Sequence, residues 1–519
     1  MVFHTKRTQA LVALLENNIY WPDIVYSEFY SIGYGVNLFY PYLTTVYPIA
    51  IFQTFLSSYK HACYLYFYLL TLITLLISYH CMKKFSKSTK QSILFSMLYT
   101  FSTYRSIDFF KRFALGELVT FTFLPLVFYG IYSILNDKKS KWYYLTIGMT
   151  LIVYSHLLSL ALTSVTIAII LLINYKKLTK RKLACLSLAT ISTLLLSASF
   201  LIPFFEQLHV NELMSVDLYN LNAEAAPIID LFVTGFKSLV TFDSIAYYSI
   251  GTIMLVFTII SLFIFYKHKS IYRQSLLLGL FFYLSSSQLF PWSLFQQTPL
   301  VYLQFPFRLL TMATFFFAIP ISKLVADYTQ NKKQLYLGFL FLIFLNHGIT
   351  FYHYKYIMTP LKDDDIFQEY VSDEQLTMSD YYISVRNYDY FLRMDYDLME
   401  SIINQEVYIN DYTPAFDILV KNHGSYFSAH VSVEDDVVIN LPVLNYKGLY
   451  VKINGEIVDH TSSHRSSVAV SVKGDFVPQE IVVSYRKTKA QKISLVISVT
   501  TLIIFGCFLF KKTFIRSTK

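Results

Sequence analysis

The chain alternates long apolar runs with short polar loops. A helix needs about 20 predominantly apolar residues to cross the hydrocarbon of a bilayer. By this criterion the pattern predicts about eleven membrane-crossing helices, at residues 61–82, 91–104, 113–135, 142–156, 159–175, 183–204, 248–266, 274–290, 307–327, 334–352 and 489–510. The shorter runs among them are expected to be tilted, broken or partly re-entrant.

A different pattern begins near residue 405, where short runs alternate apolar and polar positions as half-buried strands do. These runs are residues 431–433, 437–441, 449–453, 468–472 and 481–485. Asn454-Gly455 is a strong hairpin turn signal, and Lys473-Gly474-Asp475 is a second, weaker one. The pattern predicts a small β-sandwich, tethered at both ends by helices.

Composition and charge favour a membrane protein over a nucleic-acid-binding one. Hydrophobic residues make up 55% of the chain and charged residues 15%. The net charge of +9 arises largely from basic clusters beside apolar runs, at residues 83–90, 136–141, 176–182 and 511–519. Basic loops of this kind orient helices with the positive side in the cytoplasm. The predicted partners therefore include membrane lipid and exclude nucleic acid.

This orientation places the loops at 105–112, 205–247 and 291–306 and the segment at 353–488 outside the cell. It also places Met1 outside, although no signal peptide or apolar helix precedes His4. We expect that an upstream transmembrane helix is missing from this chain; the alternative is that residues 36–57 cross the membrane. Residues 1–60 are then a first external loop with short interfacial helices.

The predicted fold class is mainly α: a polytopic transmembrane helical bundle with an extracytoplasmic β-sandwich domain near the C-terminus. Its domains are a transmembrane domain at 1–352, an external linker and β-sandwich at 353–488, and a C-terminal transmembrane helix with a basic cytoplasmic tail at 489–519.

Several common chemistries have no signature in this sequence. It has no Walker A motif, no HExxH and no GxSxG, which argues against an ATP-driven pump and the common hydrolases. The four cysteines form no CxxC pair, so no zinc site is predicted. Asp363-Asp364-Asp365 is interpreted as a solvated linker, with cation binding as the alternative.

A group of charges lies around the third external turn, next to a predicted span. It comprises Arg105, Asp108, Lys111, Arg112 and Glu117. Charged side chains within the apolar part of a membrane are costly and usually functional. Glu117 is either a cavity-facing acid paired with a nearby arginine or part of a helix-end ion pair that fixes packing.

Two more residues have chemistry that suits an anionic substrate. His156, between two spans, either binds phosphate or acts in acid–base chemistry; the alternative is a hydrogen-bonded interfacial histidine. Arg308, at the start of a late span, can hold a phosphate bidentately; the alternative is an arginine that extends to the interface.

The segments around these residues, taken in order, resemble those of one family. The matching blocks are His4-x-x-Arg7, Gly33-Tyr34-Gly35-Val36-Asn37-Leu38-Phe39-Tyr40-Pro41, Gly116-Glu117-Leu118 with Phe123-Leu124-Pro125-Leu126, Ser155-His156-Leu157-Leu158-Ser159, Gln304-Phe305-Pro306-Phe307-Arg308, and Leu441-Pro442 through Asn454-Gly455. Together they resemble the YfhO-like bacterial polytopic proteins and the related set named after 6-pyruvoyl-tetrahydropterin synthase.

The resemblance implies a GT-C glycosyltransferase fold in the bacterial plasma membrane. Such enzymes move a sugar from a polyprenyl-phosphate carrier to an acceptor on the external side, here an envelope glycan or polymer. The rival interpretation is a non-enzymatic lipid or polysaccharide translocator, or an envelope-assembly scaffold.

The resemblance also suggests roles for individual residues. The catalytic candidates are Glu117, Asp108 and His156, and the substrate-binding candidates are Arg308, Gln304, Arg105, His4, Arg7 and Tyr34. In the family an acid usually stands just before the segment that matches His4, and here Asp23 or Glu28 could substitute for it. No residue is assigned as a metal ligand, and a divalent cation is left open as a cofactor.

Overall fold

The computed structural model describes residues 2–214, 218–237, 248–265, 270–329, 332–352, 389–410, 412–415 and 417–517, and the structural statements below concern these residues. The acidic run at 363–365 lies outside them. The chain divides into two compact units. The β-containing unit comprises residues 1–66, 194–216 and 370–519, and the helical unit comprises residues 67–193 and 217–369.

The described chain is mainly helical. Its α-helices are α1 Val2–Glu16, α2 Val36–Phe39, α3 Val46–Leu56, α4 Tyr59–Ser86, α5 Thr89–Thr100, α6 Thr103–Ile107, α7 Leu115–Asn136, α8 Tyr143–Val153, α9 Leu157–Ile173, α10 Lys180–Leu196, α11 Ala198–Val210, α12 Leu221–Glu224, α13 Ile228–Lys237, α14 Thr252–Phe265, α15 Ile271–Ser285, α16 Leu310–Tyr328, α17 Lys333–Tyr352, α18 Tyr396–Ile403 and α19 Lys489–Ser517. A π-helical turn, Asp108–Arg112, follows α6, and a 3₁₀ turn, Pro306–Leu309, precedes α16.

Several helices have the length and apolar character to cross a membrane. Five in the described part of the chain qualify: α4, α7, α17, α19 up to Lys512, and α16 with its preceding turn. Helices α10 and α11, bent by 71° at their junction, make a sixth if they act as one span. The predicted runs at 142–156, 159–175 and 248–266 form shorter apolar helices. The helices therefore support a membrane protein, with fewer full-length spans than the eleven apolar runs.

Helices α7 and α16 form the interior of the helical unit. Their most apolar windows are 94% and 83% buried, against 22% for α17. Phe128 of α7 contacts Phe315 of α16 with ring centroids 4.7 Å apart. The Tyr99 hydroxyl of α5 donates to the Phe121 carbonyl at 2.8 Å. Aromatic packing and buried polar bonds of this kind hold helices together where lipid offers no hydrophobic driving force.

The turn predicted over residues 105–112 is helical in the structure. Helix α6 runs directly into the π-helical turn, which closes with a hydrogen bond from the Ala114 amide to the Asp108 carbonyl at 3.1 Å. Phe113 then ends the turn in the left-handed region at φ 48°. Such π-helical turns are rare and often lie at functional sites.

The C-terminal β region contains two five-stranded antiparallel sheets. Their strands are β1 Tyr408–Ile409, β2 Thr413–Pro414, β3 Val420–Asn422, β4 Phe427–Val431, β5 Val437–Leu444, β6 Leu449–Ile453, β7 Glu456–Val458, β8 Thr461–Ser462, β9 Ser467–Val472 and β10 Gln479–Tyr485. The strand orders are β2-β1-β5-β9-β8 and β3-β4-β10-β6-β7. The predicted β region is confirmed, while face-to-face packing of the sheets into a sandwich stays a prediction.

One predicted hairpin turn is confirmed and the other is wrong. Asn454 and Gly455 join β6 to β7 with φ values of 50° and 88°, which a tight two-residue hairpin turn requires. The segment Lys473-Gly474-Asp475 separates β9 and β10, which belong to different sheets. A turn signal reports a local chain reversal, and it does not determine which strands pair.

The N-terminal segment belongs to the same unit as the two sheets. The Leu444 amide donates to the Ile32 carbonyl at 2.9 Å, and the Asn422 side chain donates to the Tyr26 carbonyl at 2.8 Å. Lys487 forms an ion pair with Asp23. Asp23, one of the two acids considered as a substitute base, is thus already paired.

Arg465 is a buried cation in the β region. It is fully buried and stacks on the Tyr408 ring with its guanidinium carbon 4.2 Å from the centroid. Its guanidinium donates to the Asn440 side chain at 3.0 Å and to the Ser401 hydroxyl at 3.0 Å. These bonds join α18 to β5 and to the loop before β9.

Replacing Arg465 with Met is expected to destabilise the β region by about 3 kcal/mol, because the buried acceptors lose their donors. Hydrogen exchange followed by mass spectrometry measures this as faster exchange in peptides covering β5 and β9. The control is Lys473→Met at an exposed position, expected to change the free energy of opening by less than about 0.5 kcal/mol. Equal protection in both variants would contradict the assigned role.

Candidate functional site

A buried ionic cluster forms where the π-helical turn meets the first turn of α7. Arg112 Nη1 donates to Glu117 Oε2 at 2.8 Å and to Tyr104 OH at 3.2 Å, and it also forms an ion pair with Asp108. We call Tyr104, Asp108, Arg112, Glu117 and Thr311 the Arg112 cluster. A π-helical turn that ends in a left-handed residue lets one guanidinium reach acids on two helical segments.

Both carboxylate oxygens of Glu117 have hydrogen-bond partners. Besides the bond from Arg112, Oε1 accepts from Tyr104 OH at 3.0 Å and from Thr311 Oγ1 at 2.7 Å. Glu117 is only 3% exposed. Burying a carboxylate is costly unless it is paired and hydrogen-bonded, and these three donors meet that cost. The bond from Thr311 also joins α16 to α7.

Asp108 is the less satisfied of the two acids. It is fully buried, and its Oδ1 pairs with Arg112. Its Oδ2 has no hydrogen-bond partner among the described residues. Asp108 therefore has acceptor capacity that Glu117 lacks.

Arg308 is positioned by a strained loop. Gln304 adopts φ 61° and ψ −52°, a conformation that non-glycine residues rarely adopt. Arg308 Nη1 donates to the Gln304 side chain at 3.0 Å and to the Leu303 carbonyl at 2.9 Å. Arg308 also lies near enough to interact electrostatically with Glu117 and Asp108.

His156 joins the same site from the start of α9. Its backbone is extended, at φ −161° and ψ 115°, and its Nδ1 pairs with Ser159 Oγ at 2.8 Å. The ring interacts electrostatically with Arg308, Glu117 and Arg112. The structure therefore brings Glu117, Asp108, His156, Arg308 and Gln304 together within the helical unit.

The outward side of this site is cationic and aromatic. Asp108 and Glu117 lie buried, whereas Arg112, Arg308 and His156 are partly exposed. In addition, Arg112 stacks on the Phe307 ring at 4.7 Å and Lys111 on the Tyr248 ring at 4.8 Å. The less buried groups of the site are thus cationic and aromatic, and its acids are the more deeply buried ones. We call this the cationic face.

Arg105 faces a different environment from Arg112. It is 5% exposed, and its Nη1 donates to the Thr100 carbonyl at 3.0 Å. That bond satisfies a carbonyl at the end of α5, which would otherwise lack a helical partner. Arg105 interacts with Asp108 only electrostatically.

The remaining predicted residues, His4, Arg7 and Tyr34, belong to the β-containing unit. Arg7 is fully buried, stacks on the Tyr40 ring at 4.5 Å and donates to the Tyr40 carbonyl at 2.9 Å. Burial lowers the pKa of Arg7 to about 10, so it remains a cation at neutral pH. His4 and Tyr34 are 8% and 1% exposed. In this structure all three are buried packing residues.

Sequence reasoning missed the hydroxyl donors Tyr104 and Thr311 and the aromatic residue Tyr248. Thr311 had a usable signal: it follows Arg308 by three residues, so both fall on one face of the helical segment. Tyr104 precedes Asp108 by four residues in the same way. No periodicity in the sequence places Tyr248 against the site.

No protein-family model and no curated protein matches this chain. Among the described residues, no group of three or more His, Cys, Asp or Glu side chains could hold a metal ion. The two acids of the Arg112 cluster share Arg112, which already supplies their compensating positive charge. Their arrangement therefore does not fit a divalent cation.

Replacing Arg112 with Met is expected to destabilise the protein by about 3–5 kcal/mol, because two buried carboxylates lose their cation. The measurement is the midpoint of thermal unfolding in detergent. Adding Glu117→Gln to this variant should recover part of the loss, because one buried charge is then removed.

The matched control for this prediction is Lys323→Met, which breaks an exposed ion pair with Asp327. Exposed pairs contribute about 0–1 kcal/mol, so this midpoint should hardly move. If Arg112→Met and Lys323→Met unfold at the same temperature, the Arg112 cluster is not a stabilising element.

Proposed function

We propose that the protein is a GT-C-like membrane glycosyltransferase that moves a sugar from a polyprenyl-phosphate donor to an envelope acceptor on the external side of a bacterial plasma membrane. The observation that carries this proposal is the cationic face, where partly exposed Arg112, Arg308 and His156 interact with buried acids. The resemblance to YfhO-like proteins supplies the reaction class, and apolar helices in the same unit suit a lipid-linked substrate.

The donor phosphate is assigned to the two arginines. Guanidinium groups bind phosphate through paired N–H donors and remain charged in apolar surroundings. Gln304 fixes Arg308 at 3.0 Å, and Glu117 fixes Arg112 at 2.8 Å. Fixed donors stabilise the charge that develops on a leaving phosphate without reorganising during the reaction. In this arrangement the acids act as positioning residues for the arginines.

The transfer step needs a base for the acceptor hydroxyl. The hydroxyl oxygen attacks the anomeric carbon, the bond between that carbon and the phosphate oxygen breaks, and polyprenyl phosphate leaves with the electron pair. We assign the hydroxyl proton to the imidazole of His156, whose Nδ1 pairs with Ser159 and which interacts electrostatically with Arg308, Glu117 and Arg112. The carboxylate of Asp108, whose Oδ2 has no hydrogen-bond partner among the described residues, stabilises the positive charge of the site.

The test uses Arg308→Ala and His156→Gln in cells that lack the native gene. Both variants should accumulate to normal levels and should lose the envelope glycan product. Purified protein in proteoliposomes, given a polyprenyl-phosphate sugar and acceptor, should show a fall in transfer of about 100-fold, the range for loss of one phosphate-binding or acid–base group.

Lys323→Ala, which removes a partly exposed lysine of α16, is the matched control and should keep full activity. If Arg308→Ala and His156→Gln accumulate normally and the glycan is unchanged, the transferase proposal fails. That outcome favours the rival role of an envelope-assembly scaffold or a translocator.

A further inference from the structure

The helical unit contains an apolar cavity that the proposed reaction does not use. Its volume is about 110 Å³. It lies among α4, α5, α7, α9, α15 and α16, and its wall includes Met82, Phe128, Ile131, Leu278, Phe315 and Phe316. Apolar cavities of this order take up small apolar groups. No member of the Arg112 cluster lines it.

Part of the cavity wall is polar and carries basic side chains. Asn136 and Asn174 line this part, together with Leu135 and Tyr129. The Nζ groups of three lysines reach these lining residues: Lys177 reaches Asn136 Oδ1 at 3.5 Å, Lys182 the Leu135 carbonyl at 2.6 Å and Lys141 the Tyr129 hydroxyl at 2.6 Å.

These lysines come from the basic segments 136–141 and 176–182, and one of them has an ion pair with an acid among the described residues. Lys141 also pairs with Asp137 at 3.6 Å, which leaves an excess of positive charge at this part of the wall. An apolar cavity next to a basic rim matches an amphiphile with a hydrocarbon tail and an anionic head group. Basic pockets between transmembrane helices bind anionic lipid head groups in this way.

We infer that this cavity is a binding site for an anionic phospholipid. The end of one acyl chain enters the space between Phe128, Ile131 and Phe316, and the phosphate lies among Lys141, Lys177 and Lys182. The chain gains dispersion contacts that an empty apolar cavity lacks, and the lysines select the negative head group. This inference is independent of the proposed glycosyl transfer.

The experiment is native mass spectrometry of the delipidated full-length protein, titrated separately with phosphatidylglycerol and with phosphatidylcholine of the same acyl chains. We expect phosphatidylglycerol to bind at least about tenfold more tightly, since each lysine near an anionic surface contributes about fivefold. Equal affinity for the two lipids would overturn the inference. Stronger binding of polyprenyl phosphate than of phosphatidylglycerol would also overturn it, because the cavity would then belong to the donor.

Two sets of variants separate the roles of tail and head group. Ile131→Trp, which fills the cavity, should abolish binding of both lipids. If this variant fails to accumulate, Leu278→Phe provides a smaller filling from another helix, with an expected loss of several-fold. The double variant Lys177→Ala/Lys182→Ala should lose the preference for phosphatidylglycerol and keep the affinity for phosphatidylcholine.

The matched control is Lys138→Ala/Lys139→Ala, which removes two exposed lysines from the loop that carries Lys141. It should keep the preference for phosphatidylglycerol. If the control and Lys177→Ala/Lys182→Ala lose it equally, the selectivity is a general surface effect and the site does not exist.

Discussion

The helical unit is built around two carboxylates that share one guanidinium. Asp108 and Glu117 lie where water does not reach, and neither could remain charged there without Arg112. The π-helical turn and the left-handed Phe113 form the backbone between Asp108 and Glu117, and with this backbone Arg112 contacts both acids.

The same requirement determines which helices occupy the interior. The Glu117 carboxylate needs donors on both oxygens, and Thr311 of α16 supplies one of them. This places α16 beside α7, and both helices are then enclosed by others. Because α16 begins just after the strained Gln304 loop, the same packing carries Arg308 to the acids. The partly exposed arginines and the buried acids are thus consequences of one arrangement.

Much of the helical pattern could be predicted from the sequence, because apolar runs and basic loops are local signals. The number of full-length spans could not. An apolar run has the same composition whether lipid or protein covers it: the windows of α7 and α19 are both strongly apolar, yet 94% of the first and 17% of the second are buried. Burial depends on neighbours that are distant in sequence.

In the candidate site, too, local sequence signals predict some features, and others depend on the path of the folded chain. Arg105 and Arg112 flank Asp108 in sequence, and both were plausible partners for an acid. Only the path of the backbone directs Arg112 towards Glu117 and Arg105 towards the end of α5. The Asn454-Gly455 turn was predictable because two residues contain all its information, whereas the placement of β9 and β10 in different sheets depends on sheet assembly.

Two glycines allow α7 and α8 to approach closely. A methyl group added at Gly130 would lie 2.4 Å from the backbone nitrogen of Leu145, and one added at Gly148 would lie 2.9 Å from that of Val127. Each glycine thus faces the main chain of the opposite helix, as small residues do where membrane helices pack tightly. Neither main chain can move aside as a flexible side chain would. At the contact between α7 and α8, Gly130 and Gly148 are therefore the positions where evolution has the least freedom to introduce a side chain.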